Sequence, residues 1–253
     1  MFVLEVSRFL LTIGVLGYCA IKDLKTREVS NKVWLIAVPI GLTLSLIQFF
    51  LTPNLLFVYF ITVLFSCFLA LGAFYLGCFG GADAKAIIFL AVTLPFYPQF
   101  LPSPSFGLSP LGRFCLPLAL LVTSLLAELL FACYLFLLNI KDLLTGKKLF
   151  KDLKRAPPLK KLALLFSGRY FSREELEHKK FWLPLEQVDA EGQIQITLLP
   201  NYEFCEIELE KLKKKLSHIW VTPGLPLLVF MFLGVFLLIF LGDPFKFLID
   251  LLM

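Results

Sequence analysis

Two aspartates stand where apolar stretches of this chain give way to polar residues. Asp83 lies in Gly80-Gly81-Ala82-Asp83-Ala84-Lys85-Ala86, between one apolar run from Leu55 to Cys78 and another that begins at Ala86. Asp23 lies in Ile21-Lys22-Asp23-Leu24-Lys25-Thr26-Arg27, at the end of the first apolar run. Ionisable groups at the ends of membrane helices are costly and mark function more often than packing. Gly80 and Gly81 let backbones pass closely and adopt conformations that a Cβ resists. Two carboxylates brought together suit peptide hydrolysis. The ionised one takes a proton from water while its protonated partner polarises the scissile carbonyl. Held close, both cannot ionise easily, so the pair shares a proton. The simpler alternative makes both residues topology or capping groups, with Asp83 in a first helical turn where the dipole favours negative charge. Glu128, near the middle of a later apolar run, is a third acid whose simpler role is a bond to a neighbouring helix.

Nothing else in the chain competes for chemistry. No Ser–His or Cys–His constellation is apparent, and Gly80-Gly81 lacks the Gly-Lys-Ser pattern of a phosphate loop. The six cysteines form no closely spaced pairs and most lie in apolar runs, so they read as core residues. His178 and His218 are isolated in a charged segment. No metal and no cofactor is expected.

Composition decides the class. Hydrophobic residues make up 58% of the chain, above the roughly 45–50% of soluble domains. The chain is therefore read as an all-α integral membrane protein. The net charge of +5 does not argue for nucleic acid, because Lys and Arg concentrate in loops, where topology explains them. Six spans are expected. Phe2 to Ile21 is long enough to cross a bilayer and is not read as a removable signal peptide. Glu5 and Arg8 share a face near its start. Val33 to Leu51 follows, capped by Ser30-Asn31 and anchored at the interface by Trp34. After the tight Thr52-Pro53-Asn54 connection, Leu55 to Leu76 crosses back. A short fourth span is placed at Asp83 to Phe96, an uncharged loop at Pro98 to Pro110, and a fifth span at Leu111 to Ile140. Ile219 to Leu241 is the sixth, opening with Trp220 and ending at Gly242-Asp243-Pro244.

Between spans five and six, residues 141–218 have soluble composition, with 16 Lys and Arg against 12 Asp and Glu. A small α+β insert is expected. Leu159 to Phe166 reads as a surface helix able to lie on membrane lipid. Ser172-Arg173-Glu174-Glu175 has capping-box spacing. Ile194, Ile196 and Leu198 alternate with polar residues as a strand does, and Ala190-Glu191-Gly192 suits a hairpin turn from Phe181–Val188. The domain division is thus 1–140 with the acid pair, 141–218, and 219–253.

Six spans leave only Arg8, Arg113 and Lys246 on one side, and all other Lys and Arg on the side of Asp23 and Asp83. The basic side is expected to be cytoplasmic.

At the two acids the chain resembles the archaeal preflagellin (archaellin) peptidases of the type IV prepilin peptidase family, aspartyl proteases with a Gly-x-Gly-Asp motif. Gly80-Gly81-Ala82-Asp83-Ala84-Lys85 looks like that motif with its following lysine, Ala82 replacing the second glycine. Asp23-Leu24-Lys25-Thr26-Arg27-Glu28-Val29 resembles the segment around the family's first catalytic Asp. Ile219 to Pro226 and Gly242-Asp243 are similar to its last helix. The resemblance implies that Asp23 and Asp83 are catalytic, and that Gly80, Gly81, Ala82 and Lys85 shape the motif. It also implies that the protein removes class III signal peptides from archaellin or type IV pilin-like precursors at the cytoplasmic membrane face. Two other functions fit the same acids: a presenilin-like protease cutting inside the bilayer, and an ion-coupled carrier. The interfacial position of both acids disfavours the first, and the lack of an internal repeat disfavours the second.

Overall fold

The computed structural model describes all residues except 152, 154, 155, 178, 180, 189–193, 199–204 and 253, and gives no side chains over 205–208. In chain order the elements are α1 (Phe2–Thr26), α2 (Asn31–Leu51), α3 (Pro53–Tyr75), α4 (Gly81–Thr93), α5 (Pro110–Phe114), α6 (Leu116–Leu144) and α7 (Pro158–Ser167). Then come β1 (Arg169–Ser172), α8 (Arg173–Glu177), β2 (Trp182–Pro184), β3 (Glu186–Val188), β4 (Ile194–Ile196), α9 (Cys205–Lys215), β5 (His218–Pro223), α10 (Leu227–Phe240) and α11 (Pro244–Leu252). They form two compact units, Met1–Glu128 with Pro226–Met253, and Leu129–Leu225.

The first unit is built around α4. Ala84, Ala86, Ile87, Phe89, Leu90, Ala91, Val92 and Thr93 are all buried, and a helix apolar on every side belongs in a core. Its alanines keep it thin, so α2 and α3 both close on it. Gly41 of α2 lies so near Thr93 that any Cβ would collide with the threonine hydroxyl. Leu16 and Cys19 of α1 and Leu228, Met231 and Val235 of α10 complete this core. With 13 residues, α4 is about 20 Å long, short of the roughly 30 Å hydrocarbon core. Among the described residues α1, α2, α3 and α6 are long and apolar enough to cross a membrane. The pair α10 and α11, bent by 51°, makes a fifth candidate span. The protein is therefore a mostly helical, multi-pass membrane protein with four or five candidate spans, against the six expected.

Local chemistry explains most boundaries. The Ser30 hydroxyl accepts the Lys32 N–H at 3.4 Å to start α2, and Pro53 opens α3 at its first turn. The expected fifth span is broken, because Pro117 has no N–H to offer the Arg113 carbonyl. That carbonyl accepts from the Tyr97 N–H at 3.1 Å instead, and the Leu116 N–H turns to the Pro95 carbonyl at 2.8 Å. Trp34 is not an interface anchor. It is buried, with its ring 6.1 Å from Phe89.

Asp243 fastens the turn between α10 and α11 to the loop before α5. Its carboxylate accepts the Ser109 N–H at 2.6 Å, the Ser109 hydroxyl at 2.8 Å and the Lys246 N–H at 3.1 Å, and it is 2% exposed. Removing it strands three donors, two of them on buried Ser109. Asp243→Ala is expected to destabilise the protein by about 3 kcal/mol, seen as a lower melting temperature of the purified chain. An unchanged melting temperature would mean these bonds are replaced by water without cost.

The second unit is α+β. A three-stranded antiparallel sheet has the order β1-β5-β2, with Tyr170 opposite Trp220, and β3 pairs with β4. The residues Ile219–Pro223, expected at the head of the sixth span, thus lie in the central strand β5 (His218–Pro223). Ile219, Val221 and Thr222 are β-branched, and the prolines at 223 and 226 delay the helix until Leu227. Trp220 is fully buried, donating its indole N–H to the Leu149 carbonyl at 3.0 Å. The expected hairpin partner 181–188 is divided: β2 joins one sheet and β3 the other. The proposed turn at Ala190-Glu191-Gly192 lies outside the described residues. The capping box is present, with Ser172 Oγ accepting from the Glu175 N–H at 3.3 Å and Glu175 Oε2 from the Ser172 N–H at 2.8 Å. Asn139 of α6 donates to the carbonyls of Leu165 and Gly168 at 2.8 and 2.7 Å, closing the end of α7.

Candidate active site

Helix α1 continues beyond the apolar run to Thr26, so Asp23 occupies its last turn rather than a loop. The helix stops at Arg27, whose backbone is left-handed (φ 57°) and whose N–H donates to the Asp23 carbonyl at 3.2 Å. This fixes the Asp23 backbone and aims the half-buried side chain toward the first turn of α10, where it faces the Leu228 N–H. The first N–H groups of a helix lack intrahelical partners and favour a negative charge.

Asp83 is positioned by a turn. Helix α3 ends through Gly77, at φ 73°, a conformation that costs glycine little. The chain then enters α4 at Gly80. Asp83, at the third helical position, accepts the Gly80 N–H through Oδ2 at 3.0 Å. The capping role foreseen as the simpler alternative is therefore real. It uses one oxygen, and among the described residues Oδ1 has no hydrogen-bond partner.

Gly80 itself has an ordinary backbone (φ −71°, ψ 159°), so its constraint is space. A Cβ there would sit 3.0 Å from Asp83 Oδ2. Gly81 differs, since a Cβ would meet only the Phe74 ring at 3.7 Å, an ordinary contact. Ala82 packs against the core. Lys85 donates to Asn31 Oδ1 at 2.7 Å, tying α4 to the start of α2. The sequence offers Asn31 only as part of the Ser30-Asn31 cap, with no signal of its bond to Lys85.

The structure brings Asp23 close enough to Asp83 for its charge to act on the Asp83 carboxylate. Glu128 of α6 comes within range of Asp83 in the same way. Three acids thus converge from α1, α4 and α6. Among the described residues no cluster of His, Cys, Asp and Glu has the arrangement to hold a metal ion.

Residues 10–137 match the model of the type IV leader peptidase family, a span that contains both aspartates. The chain belongs to that family. Residues 160–244 match a second model, the archaeal peptidase A24 C-terminus type II. The chain is 28% identical over 238 residues to the preflagellin peptidase of Methanococcus voltae, covering 91% of this chain and 94% of that one. It is also 28% identical over 237 residues to the preflagellin peptidase of Methanocaldococcus jannaschii, covering 91% and 93%. Membership makes this leader peptidase a proteolytic enzyme.

Proposed function

We propose that the protein is an aspartic endopeptidase that removes the leader peptide from archaellin or type IV pilin-like precursors at the cytoplasmic face of the membrane, with Asp23 and Asp83 as its catalytic pair. The observation that carries this reading is the convergence of the two carboxylates at one end of the helical unit, within the segment matched by the leader peptidase model. The names of both preflagellin peptidases support the precursor class.

The chemistry follows from the pair. One ionised aspartate takes a proton from water, and the water oxygen adds to the scissile carbonyl. The protonated aspartate donates to the carbonyl oxygen as charge develops there. The C–N bond of the tetrahedral intermediate then breaks with proton transfer to the departing amine. Gly80 acts by leaving room for the Asp83 carboxylate, and Ala82 and Lys85 by holding the start of α4 against its neighbours. In the six-span arrangement α4 takes a fourth crossing despite its length, and the lysine-rich side holds both acids.

Incubating membranes that contain the protein with an archaellin precursor tests the activity. A shorter product, with its new N-terminus at the leader boundary, is expected. No product from any archaellin or pilin-like precursor would overturn the proposal. Two carboxylates supply both acid and base, so cleavage is expected to persist in EDTA and after thiol- or serine-directed reagents. Loss with EDTA and recovery with zinc would point to a metalloprotease.

A further inference from the structure

At the opposite end of the helical unit is a cavity of about 360 Å³, lined among others by Glu5, Arg8, Gln48, Phe49, Phe96 and Arg113. Arg8 and Asp23 are both on α1, fifteen residues or about 22 Å apart, so the cavity is separate from the aspartates. Arg8 is only 3% exposed. Its guanidinium donates to Ser45 Oγ at 3.3 Å and lies over the Phe49 ring at 5.0 Å, while its Nε has no partner among the described residues. No carboxylate lies within ion-pair distance of it among the described residues. Glu5 on the same wall is engaged elsewhere, accepting from Gln48 Nε2 at 3.2 Å and from the Gln99 N–H at 3.3 Å. A buried guanidinium is normally paired, because an unpaired buried charge is costly. The other cation in the lining is the exposed Arg113, so two guanidiniums share the cavity with one carboxylate, Glu5, whose charge acts on Arg8 from beyond ion-pair distance.

We propose that this cavity binds a phosphate group, with Arg8 at its inner wall and Arg113 at its rim. Guanidinium donors match phosphate oxygens in pairs, and two of them suit a group with several anionic oxygens. The Phe49, Phe96 and Phe114 walls would lie along the apolar part of a phospholipid. The lining draws on the first two turns of α1, the last turn of α2 and the first turn of α3, and where such helices cross a bilayer their ends lie at the level of the headgroups. A lipid headgroup and a free phosphate share this chemistry, and the test separates them.

The thermal midpoint of the purified full chain in neutral detergent should be followed during titration with inorganic phosphate, phosphatidylglycerol or phosphatidylcholine. A rise with phosphatidylglycerol but not with phosphatidylcholine, weakened at least about tenfold in Arg113→Gln and Arg8→Gln, is the expected result. The same rise with inorganic phosphate alone would support the site with a free anion as its ligand. Lys148→Gln, on an exposed lysine of the second unit, should change nothing. If Arg8→Gln does not fold, Arg113→Gln decides. Equal responses to both lipids with none to phosphate, or an equal loss in Lys148→Gln, would overturn the proposal.

Discussion

Asp83→Asn is expected to stop precursor cleavage without unfolding the protein, and Asp23→Asn to do the same. The asparagine carbonyl oxygen still accepts the Gly80 N–H that Asp83 Oδ2 accepts at 3.0 Å, so the helix start survives. What is lost is the exchangeable proton. General acid–base groups contribute roughly 10²–10⁴-fold to rate, and each variant should fall by at least the lower figure. The substitution separates the two readings of Asp83, because a residue that only caps is replaced by asparagine at little cost. Membrane insertion and melting temperature should stay near those of the parent chain. Substantial turnover in either purified variant would remove the pair as the catalytic machinery. Glu128→Gln serves as the comparison. Glu128 lies within range of the Asp83 charge but is not one of the proposed pair, so this variant should keep substantial activity. A collapse there, with the fold intact, would make the site a triad.

Gly80→Leu should be nearly as severe though it touches neither acid chemically. Any Cβ at Gly80 presses on Asp83 Oδ2 at 3.0 Å, and a leucine adds three more carbons beside it. The carboxylate must then rotate off the Gly80 N–H or shift as a whole, and about 1 Å of misplacement can cost roughly a hundredfold in rate. Gly81→Ala is the matched control, because a methyl there meets the Phe74 ring at an ordinary 3.7 Å. It should retain nearly full activity. Equal activity in Gly80→Leu and Gly81→Ala would show that the glycines only end a helix. Loss in Gly80→Leu with an unchanged melting temperature would locate the effect at Asp83.

Much of this protein is written locally. An acid beside glycines in an otherwise apolar stretch is visible as a string, because burying charge costs enough that Asp23 and Asp83 stand out against their surroundings. The caps at Ser30 and at Ser172 with Glu175 are equally local, since each bond joins residues two or three apart. The break at Gly242-Asp243-Pro244 was legible for the same reason. The membrane class followed from composition alone.

Other features depended on which segments met. Nothing within α4 says what surrounds it, because a helix of mostly apolar residues suits a protein core and a bilayer alike, and α2 and α3 enclose it only in the folded chain. The run Ile219–Pro223 was read as a helix because a short apolar stretch carries no period that separates strand from helix. Its place between β1 and β2 settled the matter. Trp34 is an anchor by type and a core residue by contact with Phe89. The same holds for Asp243, whose partner Ser109 is 134 residues away, and for Arg8 and Arg113, which line one cavity only after folding. The identity of each charged residue was plain from the chain. Its partners were not, because hydrogen bonds and charge interactions act over a few ångströms of space, and residues far apart in sequence reach that range only in the folded chain.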